Sequence, residues 1–220
     1  MKKFSALAIF VVLLFAATSA FANEVPVGNY DNYIGLYLDD GQGNTAFVLS
    51  SSGMASFNGA LGDWVVNVST VITYPIIGTQ AIPMIDLNSV NVSSTSGGTL
   101  KIYASVAGFV ATTEPGAGYS FDVGGTTSGS VTYAAYWDYV PGRLFGLDGL
   151  LFNSGAITDS PFAASYNGYI PVGAVDYTLY AEITGVGATS FDIDYRVPEP
   201  ASLVLLGLGL LGIVGIRRKH

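Results

Sequence analysis

Between residues 23 and 197 the apolar positions come in short runs, separated by clusters of Gly, Asn, Asp, Ser and Pro. Several runs alternate with period two, the repeat of an extended chain with one face buried. In Trp64-Val65-Val66-Asn67-Val68-Ser69-Thr70-Val71, the residues Trp64, Val66, Val68 and Thr70 share one face. In Ser190-Phe191-Asp192-Ile193-Asp194-Tyr195 the apolar side chains share one face, and Asp192 and Asp194 share the other. The pattern predicts strands over Tyr33–Leu38, Thr45–Ser50, Met54–Asn58, Asp63–Tyr74, Ile85–Val92, Gly98–Ala107, Ser130–Asp138, Asp176–Thr184 and Ser190–Val197. No stretch between the two ends shows a helical period with caps. Asp39-Asp40-Gly41-Gln42-Gly43-Asn44 reads as a hairpin loop, and Gly97-Gly98 and Gly124-Gly125 as turn glycines without the strand–helix context of a phosphate loop. Order is expected to be least over Thr113–Gly118 and Thr158–Gly173, where Pro, Gly and Ser gather. Many short strands without helices predict an all-β single domain, a β-sandwich of jelly-roll-like form, with a closed barrel as the alternative.

The pattern changes at both ends. Lys2 and Lys3 precede an apolar stretch from Leu7 to Ala17, and Ala20-Phe21-Ala22 places small residues at the two positions that determine cleavage. This predicts a signal peptide over residues 1–22, cut after Ala22 by signal peptidase; an uncleaved anchor is the alternative. At the other end stand, in order, Pro198-Glu199-Pro200, an uncharged apolar run from Ala201 to Ile216, and the basic cluster Arg217, Arg218 and Lys219. The prolines hold the chain extended and accessible. The Leu/Gly run can satisfy its own backbone as a helix in lipid. The basic cluster resists crossing, which places everything before it outside. Sixteen residues at 1.5 Å each reach about 24 Å, short of a hydrocarbon core of about 30 Å. A short span beside a stiff triplet fits a segment held in the membrane and then cut. A simple tail anchor is the alternative, and the absence of any polar face argues against a core helix.

Residues Val197 to Lys219 resemble the PEP-CTERM sorting signal of exported bacterial proteins in three features together: triplet, span and basic end. The resemblance implies recognition by an exosortase, a membrane-embedded cysteine protease or transpeptidase, in bacteria that make extracellular polysaccharide. Joined to the N-terminal and strand patterns, it gives a layout of signal peptide 1–22, all-β exported domain 23–196 and sorting signal 197–220. The domain also resembles, more loosely, a recurrent group of cargo proteins bearing this signal. Gly35-Leu-Tyr-Leu-Asp-Asp-Gly, Gly98-Thr-Leu-Lys-Ile-Tyr and Thr189-Ser-Phe-Asp carry that likeness, which assigns no catalytic residue.

Composition then narrows the chemistry. Between Asn23 and Val197 three cations (Lys101, Arg143, Arg196) stand against fifteen acids, a net charge of −12. Such a surface repels nucleic acid and anionic lipid and favours solubility or cation binding. Cysteine is absent and the one histidine is His220. Thiol and Ser-His nucleophiles, haem ligation and ordinary zinc sites are therefore excluded from the mature region.

Three candidate chemistries remain. Two carboxylates about 5–9.5 Å apart would serve a glycoside hydrolase; acids are plentiful and no pair stands out. Asp39, Asp40 and Asn44 offer hard oxygens for calcium in a glycine-rich loop, without EF-hand spacing; ordinary hairpin-turn bonding explains the same residues. Tyr136, Trp137 and Tyr139 are candidates for stacking on sugar rings. Period two puts Tyr133, Trp137 and Tyr139 on one face and Tyr136 on the other, so part of this cluster belongs to the core. The sequence thus predicts an exported, non-catalytic protein, membrane-inserted through its C-terminal span before processing, then at the cell surface or in an exopolysaccharide matrix. A polysaccharide-active hydrolase and a calcium- or carbohydrate-binding module are the alternatives.

Overall fold

Among the described residues, alternation and turn chemistry produce twelve strands: β1 (Ile34–Asp39), β2 (Thr45–Ser50), β3 (Met54–Leu61), β4 (Trp64–Ile72), β5 (Met84–Ser94), β6 (Thr99–Val106), β7 (Gly118–Thr127), β8 (Ser130–Asp138), β9 (Gly149–Ile157), β10 (Phe162–Tyr169), β11 (Asp176–Thr184) and β12 (Gly187–Arg196). The structure, a computed structural model, describes residues 30–110 and 117–197, apart from the side chains at 69 and 70. The expected signal peptide with Ala20 and Ala22, the triplet Pro198, Glu199 and Pro200, the apolar run, and Arg217, Arg218 and Lys219 all lie outside the described residues.

The strands form two six-stranded antiparallel sheets. The first runs β2-β1-β6-β11-β8-β9 and the second β10-β7-β12-β5-β4-β3. The chain changes sheet at β2–β3, at each step from β5 to β8, and at each step from β9 to β12, a jelly-roll-like winding. The two sheets share no strand pairing, so the architecture is the expected sandwich rather than a barrel. Between them lies one core with Ile34, Leu36 and Leu38 of β1, Trp64, Val66 and Val68 of β4, and Phe191, Ile193 and Tyr195 of β12. As the alternation predicts, Asp192 and Asp194 point away from it.

Five expectations need correction. Gly124-Gly125 is no turn: both residues lie inside β7, whose Tyr119, Phe121 and Val123 are buried in the core. A Cβ on Gly125 would stand 2.2 Å from the Ser190 carbonyl oxygen of β12, so glycine is there for close approach. The stretch Thr158–Gly173, expected to be loosely ordered, contains β10. Its inward side chains, Phe162, Ala164 and Tyr166, alternate correctly but include a small residue that weakens the signal. Gly118, expected to close another loose stretch, opens β7. Strand β9 escaped prediction because its pairing with β8 shifts twice, which breaks its period. The side chain of Thr70 lies outside the described residues, and the even alternation of β4 breaks after Val68. Two β4 residues oppose one of β3 there, a β-bulge, and inward alternation resumes at Val71. A matching bulge in β5 holds Ser89 at φ 54°, with its N–H donating to Asp192 Oδ1.

Candidate functional site

The outer face of the first sheet departs from the rule that an antiparallel sheet keeps one wet side. Register places Phe47, Tyr37, Tyr103 and Tyr180 side by side across β2, β1, β6 and β11. Their rings touch: centroids are 6.0 Å apart for Tyr37–Tyr103 and 4.8 Å for Tyr103–Tyr180. The β8–β9 connection, residues 139–148, folds back over half of this row. Phe145 packs edge-on against both Tyr37 and Phe47. It lies directly over Gly35, where a Cβ would come within 2.7 Å of the Phe145 ring. Tyr37, Tyr103, Ala107, Leu144 and Phe145 thus make a second, smaller core outside the sandwich.

Buried polar groups fasten this connection. The Phe145 N–H donates to Ser105 Oγ at 2.8 Å, and Thr178 Oγ1 donates to the same atom at 3.0 Å. Asp176, 1 % exposed, accepts the N–H groups of Gly108 and Arg143, each at 2.8 Å. Its cross-strand neighbour Asp138 accepts from Val140 N and from the Arg143 guanidinium, which also reaches Asp148. Burial pushes the Asp176 carboxyl up to about 6; its two N–H donors oppose that rise, and the Asp138 charge adds to it.

The uncovered half of the row forms the candidate site. Tyr180 is half-buried, and its hydroxyl donates to Glu182 Oε2. Register sets Asp39, Lys101 and Glu182 in a line across β1, β6 and β11, one step along from the tyrosines. Tyr136 lies half-buried on the same face, on β8 opposite Thr178. Burial raises the hydroxyls of Tyr103, Tyr136 and Tyr180, and the neighbouring carboxylates raise Tyr103 and Tyr180 further, so all three stay protonated donors at neutral pH. The arrangement offers ring faces, hydroxyl donors, an ammonium and two carboxylate acceptors. It suits a polyhydroxylated ligand.

The expected sugar-binding trio is split. Tyr136 joins the outer face, whereas Trp137 turns inward and packs against the main core. Tyr139, 60 % exposed, lies on the connection with its ring 6.0 Å from that of Trp137. Sequence reasoning missed Tyr103 and Tyr180, although the alternation Lys101-Tyr103-Ser105 and Thr178-Tyr180-Glu182 carried the signal.

Asp39, Asp40 and Asn44 do come together in the β1–β2 loop. Asp40 Oδ1 accepts from Gln42 N at 2.8 Å and Asn44 N at 2.9 Å, Asp40 Oδ2 accepts from Asn44 Nδ2 at 2.6 Å, and Asp39 Oδ1 accepts from Gly41 N at 2.7 Å. Burial pulls the Asp40 carboxyl up, but the Asn44 side chain and the loop N–H groups outweigh it and hold the carboxyl below its ordinary value. Among the described residues no group of three or more His, Cys, Asp or Glu is placed to hold a metal ion.

The second sheet's outer face carries Asp122, Asp194 and Asp86 directly abreast on β7, β12 and β5. Asp86 is pushed up by partial burial and by the charges of Asp194 and Asp192. Asp194 is held by Arg196 Nε at 2.8 Å to each oxygen.

Residues 196–219 match the PEP-CTERM protein-sorting motif. The motif implies processing by an exosortase and marks an exported protein sorted to the cell surface. No curated protein sequence matches the chain. Among solved structures, the K1 cleaved adhesin domain of Lys-gingipain from Porphyromonas gingivalis is similar at TM-score 0.37 and 15 % identity, over 66 % of this chain and 99 % of that one. The C-terminal CBM6 of a laminarinase from Zobellia galactanivorans is similar at TM-score 0.29 and 13 % identity, over 64 % and 98 %. The enzymatically active domain of bacteriophage CBA120 tailspike protein 4 is similar at TM-score 0.37 and 13 % identity, over 61 % of this chain but only 19 % of the tailspike chain. Likeness at this distance assigns neither a site nor a ligand.

Proposed function

We propose that this chain is an exported, non-catalytic protein of the cell surface or extracellular matrix, cut by exosortase at its triplet and retained there by exopolysaccharide. The observation that carries the reading is continuity: the sorting motif begins at Arg196, the last residue of β12, so the sandwich itself is the cargo. Signal peptidase acts at the N-terminal segment and the C-terminal run enters the membrane before processing. Calcium is not required. The ligand surface is the open half of the first sheet's outer face, where Tyr136 and Tyr180 supply ring faces and Asp39, Lys101 and Glu182 supply hydrogen bonds. One such contact is weak, and many copies on one polymer raise avidity without any new contact.

Two arms test this. Replacing Pro198, Glu199 and Pro200 by alanine should leave export intact and let an unprocessed form accumulate in the membrane; normal maturation of that variant refutes the sorting arm. The processed protein from the host should bind the host's own exopolysaccharide and release no reducing sugar. Tyr180→Ala should weaken retention about tenfold, the loss of roughly 1.4 kcal/mol. Release of reducing sugar that disappears in Asp86→Asn or Asp194→Asn would instead establish the hydrolase alternative. That reading draws on two neighbouring carboxyls, one of them raised.

A further inference from the structure

The chain enters and leaves the sandwich at one end. On the way in, Tyr30 N donates to the Gly142 carbonyl at 3.0 Å and Asn32 N to that of Ala107 at 2.9 Å. On the way out, Val197 is buried and its N–H donates to the Pro83 carbonyl at 2.9 Å. Gln80, three residues before Pro83, ties the entry to the segment after β6: its side chain donates to Asn32 Oδ1 at 2.6 Å, and its carbonyl accepts from Val110 N at 2.7 Å. Val197 is therefore a fixed point, four residues before Ala201, where the apolar run begins. Four residues of extended chain span at most about 14 Å. Whenever that run lies in lipid, this end of the sandwich is held within about 14 Å of the hydrocarbon edge, close enough to reach the headgroups.

The distribution of exposed apolar side chains follows the same polarity. Twelve large ones are exposed among the described residues, and all except Val65 and Val186 lie at or near this end. Ile76, Val110, Tyr139, Val140 and Val172 stand on the connections that cap it, and Tyr169, 77 % exposed, closes β10 beside them. Val65 and Val186 belong to the opposite end, where β4 begins and β11 turns into β12. Scattered exposed apolar residues are ordinary on a soluble domain, but their collection at the end nearest a membrane span is not.

We propose that this end is a membrane-resting face. Before exosortase cuts, the sandwich stands on the outer leaflet with Ile76, Val110, Val172 and the two tyrosines dipping into the headgroup layer. Each side chain partitions weakly, and together they fix the orientation in which the triplet is presented. The inference rests on reading the C-terminal run as membrane-inserted. Lipid is favoured as the occupant because the face is aliphatic and aromatic and the chain leaves it at Val197, four residues before that run. A domain of net charge −12 is repelled by anionic lipid, so zwitterionic lipid is the proper probe.

The chain has no cysteine, so single cysteines report without competition. The full chain with Ile76→Cys, Val110→Cys or Val172→Cys, with Val65→Cys and Val186→Cys as far-end controls and Leu208→Cys inside the run, is labelled with a small fluorophore. It is then reconstituted into phosphatidylcholine vesicles containing lipid that carries a nitroxide at the headgroup or on the acyl chain. Headgroup nitroxide should quench positions 76, 110 and 172 and leave 65 and 186 unchanged, while acyl-chain nitroxide quenches 208. If 208 is quenched and positions 76, 110 and 172 behave like 65 and 186, the resting face is overturned and membrane insertion stands. If 208 is not quenched, the insertion reading fails and takes the inference with it. Shielding that develops only after exosortase is added to the vesicles assigns the face to a protein partner and overturns lipid as its occupant.

Discussion

The two sheets have the same strand count and the same winding, yet their outer faces are built on opposite principles. On the second sheet the outward positions of β12 and its neighbours are mostly Asp, Ser, Thr and Asn, exposed or half-exposed. On the first sheet β1 is buried over five consecutive residues, Ile34 to Leu38. The difference comes from the single connection between β8 and β9, which lays Leu144 and Phe145 on the outward tyrosines. Burial on both faces of an antiparallel strand means that something covers the second face. Here the cover is pinned by buried polar hooks at Ser105, Asp138 and Asp176 and not by apolar contact alone. Where the cover stops, the row of rings continues uncovered, and that boundary is the candidate site.

The sharpest way to break this contrast is to remove the lid's anchor. Phe145→Ala should destabilise the protein by about 3 kcal/mol, within the range for a buried aromatic cut to alanine. Thr126→Ala, at an exposed outward position on β7, should stay within about 0.5 kcal/mol. Urea midpoints of the two variants decide the matter: equal losses would mean that the lid contributes no second core.

A somewhat smaller effect separates the lid from the β1–β2 loop by pH. The folded-state carboxyl of Asp176 is raised from 3.8 to about 6, so between those values the native state holds a proton that the unfolded chain has released. Its stabilisation is complete below pH 3.8 and is lost as pH rises through 6. A rise of about two units corresponds to roughly 2–3 kcal/mol. Asp40 has the opposite sign. Its folded-state carboxyl is lowered, so its contribution is present above pH 3.8 and lost as the solution is acidified through the lowered value. Urea midpoints measured from pH 4 to pH 7 should show a downward slope in the wild type that flattens in Asp176→Asn. An unchanged slope in that variant would remove Asp176 from the account.

The same contrast explains what could be read in advance. Where one face is wet, as in Phe191-Asp192-Ile193-Asp194-Tyr195, period two is written plainly and the strand is found. The sandwich followed from many such runs. Strand β7 was hidden by Gly125, a residue required for close approach to β12 and therefore easily taken for a turn. Strand β10 was hidden by small inward residues, and β9 by its bulges. Covering of the first sheet could not be read at all. It depends on residues 139–148 folding back onto β1 and β6, a contact between segments far apart in sequence that no local period encodes. The open part of the tyrosine row was lost with it, because Tyr180 is an ordinary strand residue until the lid's edge, at the buried Tyr103, singles it out.

The smallest expected effect lies at the margin of that open row, where Asp39 meets the β1–β2 loop. A calcium ion binding only the native state would raise stability by mass action, by about 2.7 kcal/mol at a hundred times its dissociation constant. The loop's oxygens are already turned to other work. Both oxygens of Asp40 accept hydrogen bonds, and the Asn44 side chain meets it with its amide nitrogen and not its oxygen. Asp39 accepts from Gly41 N through Oδ1. Bringing these groups round a cation would require giving up the bonds that hold the hairpin closed. Millimolar calcium should therefore leave the melting temperature of the wild-type protein unchanged, and Asp39→Ala should melt at the same temperature with or without the ion. Asp40→Ala should melt lower in both conditions, because it leaves two loop N–H groups without their acceptor. A calcium-dependent rise in the wild type that vanishes in Asp39→Ala would show that the loop opens to hold the ion, and would place a metal site beside the tyrosine row.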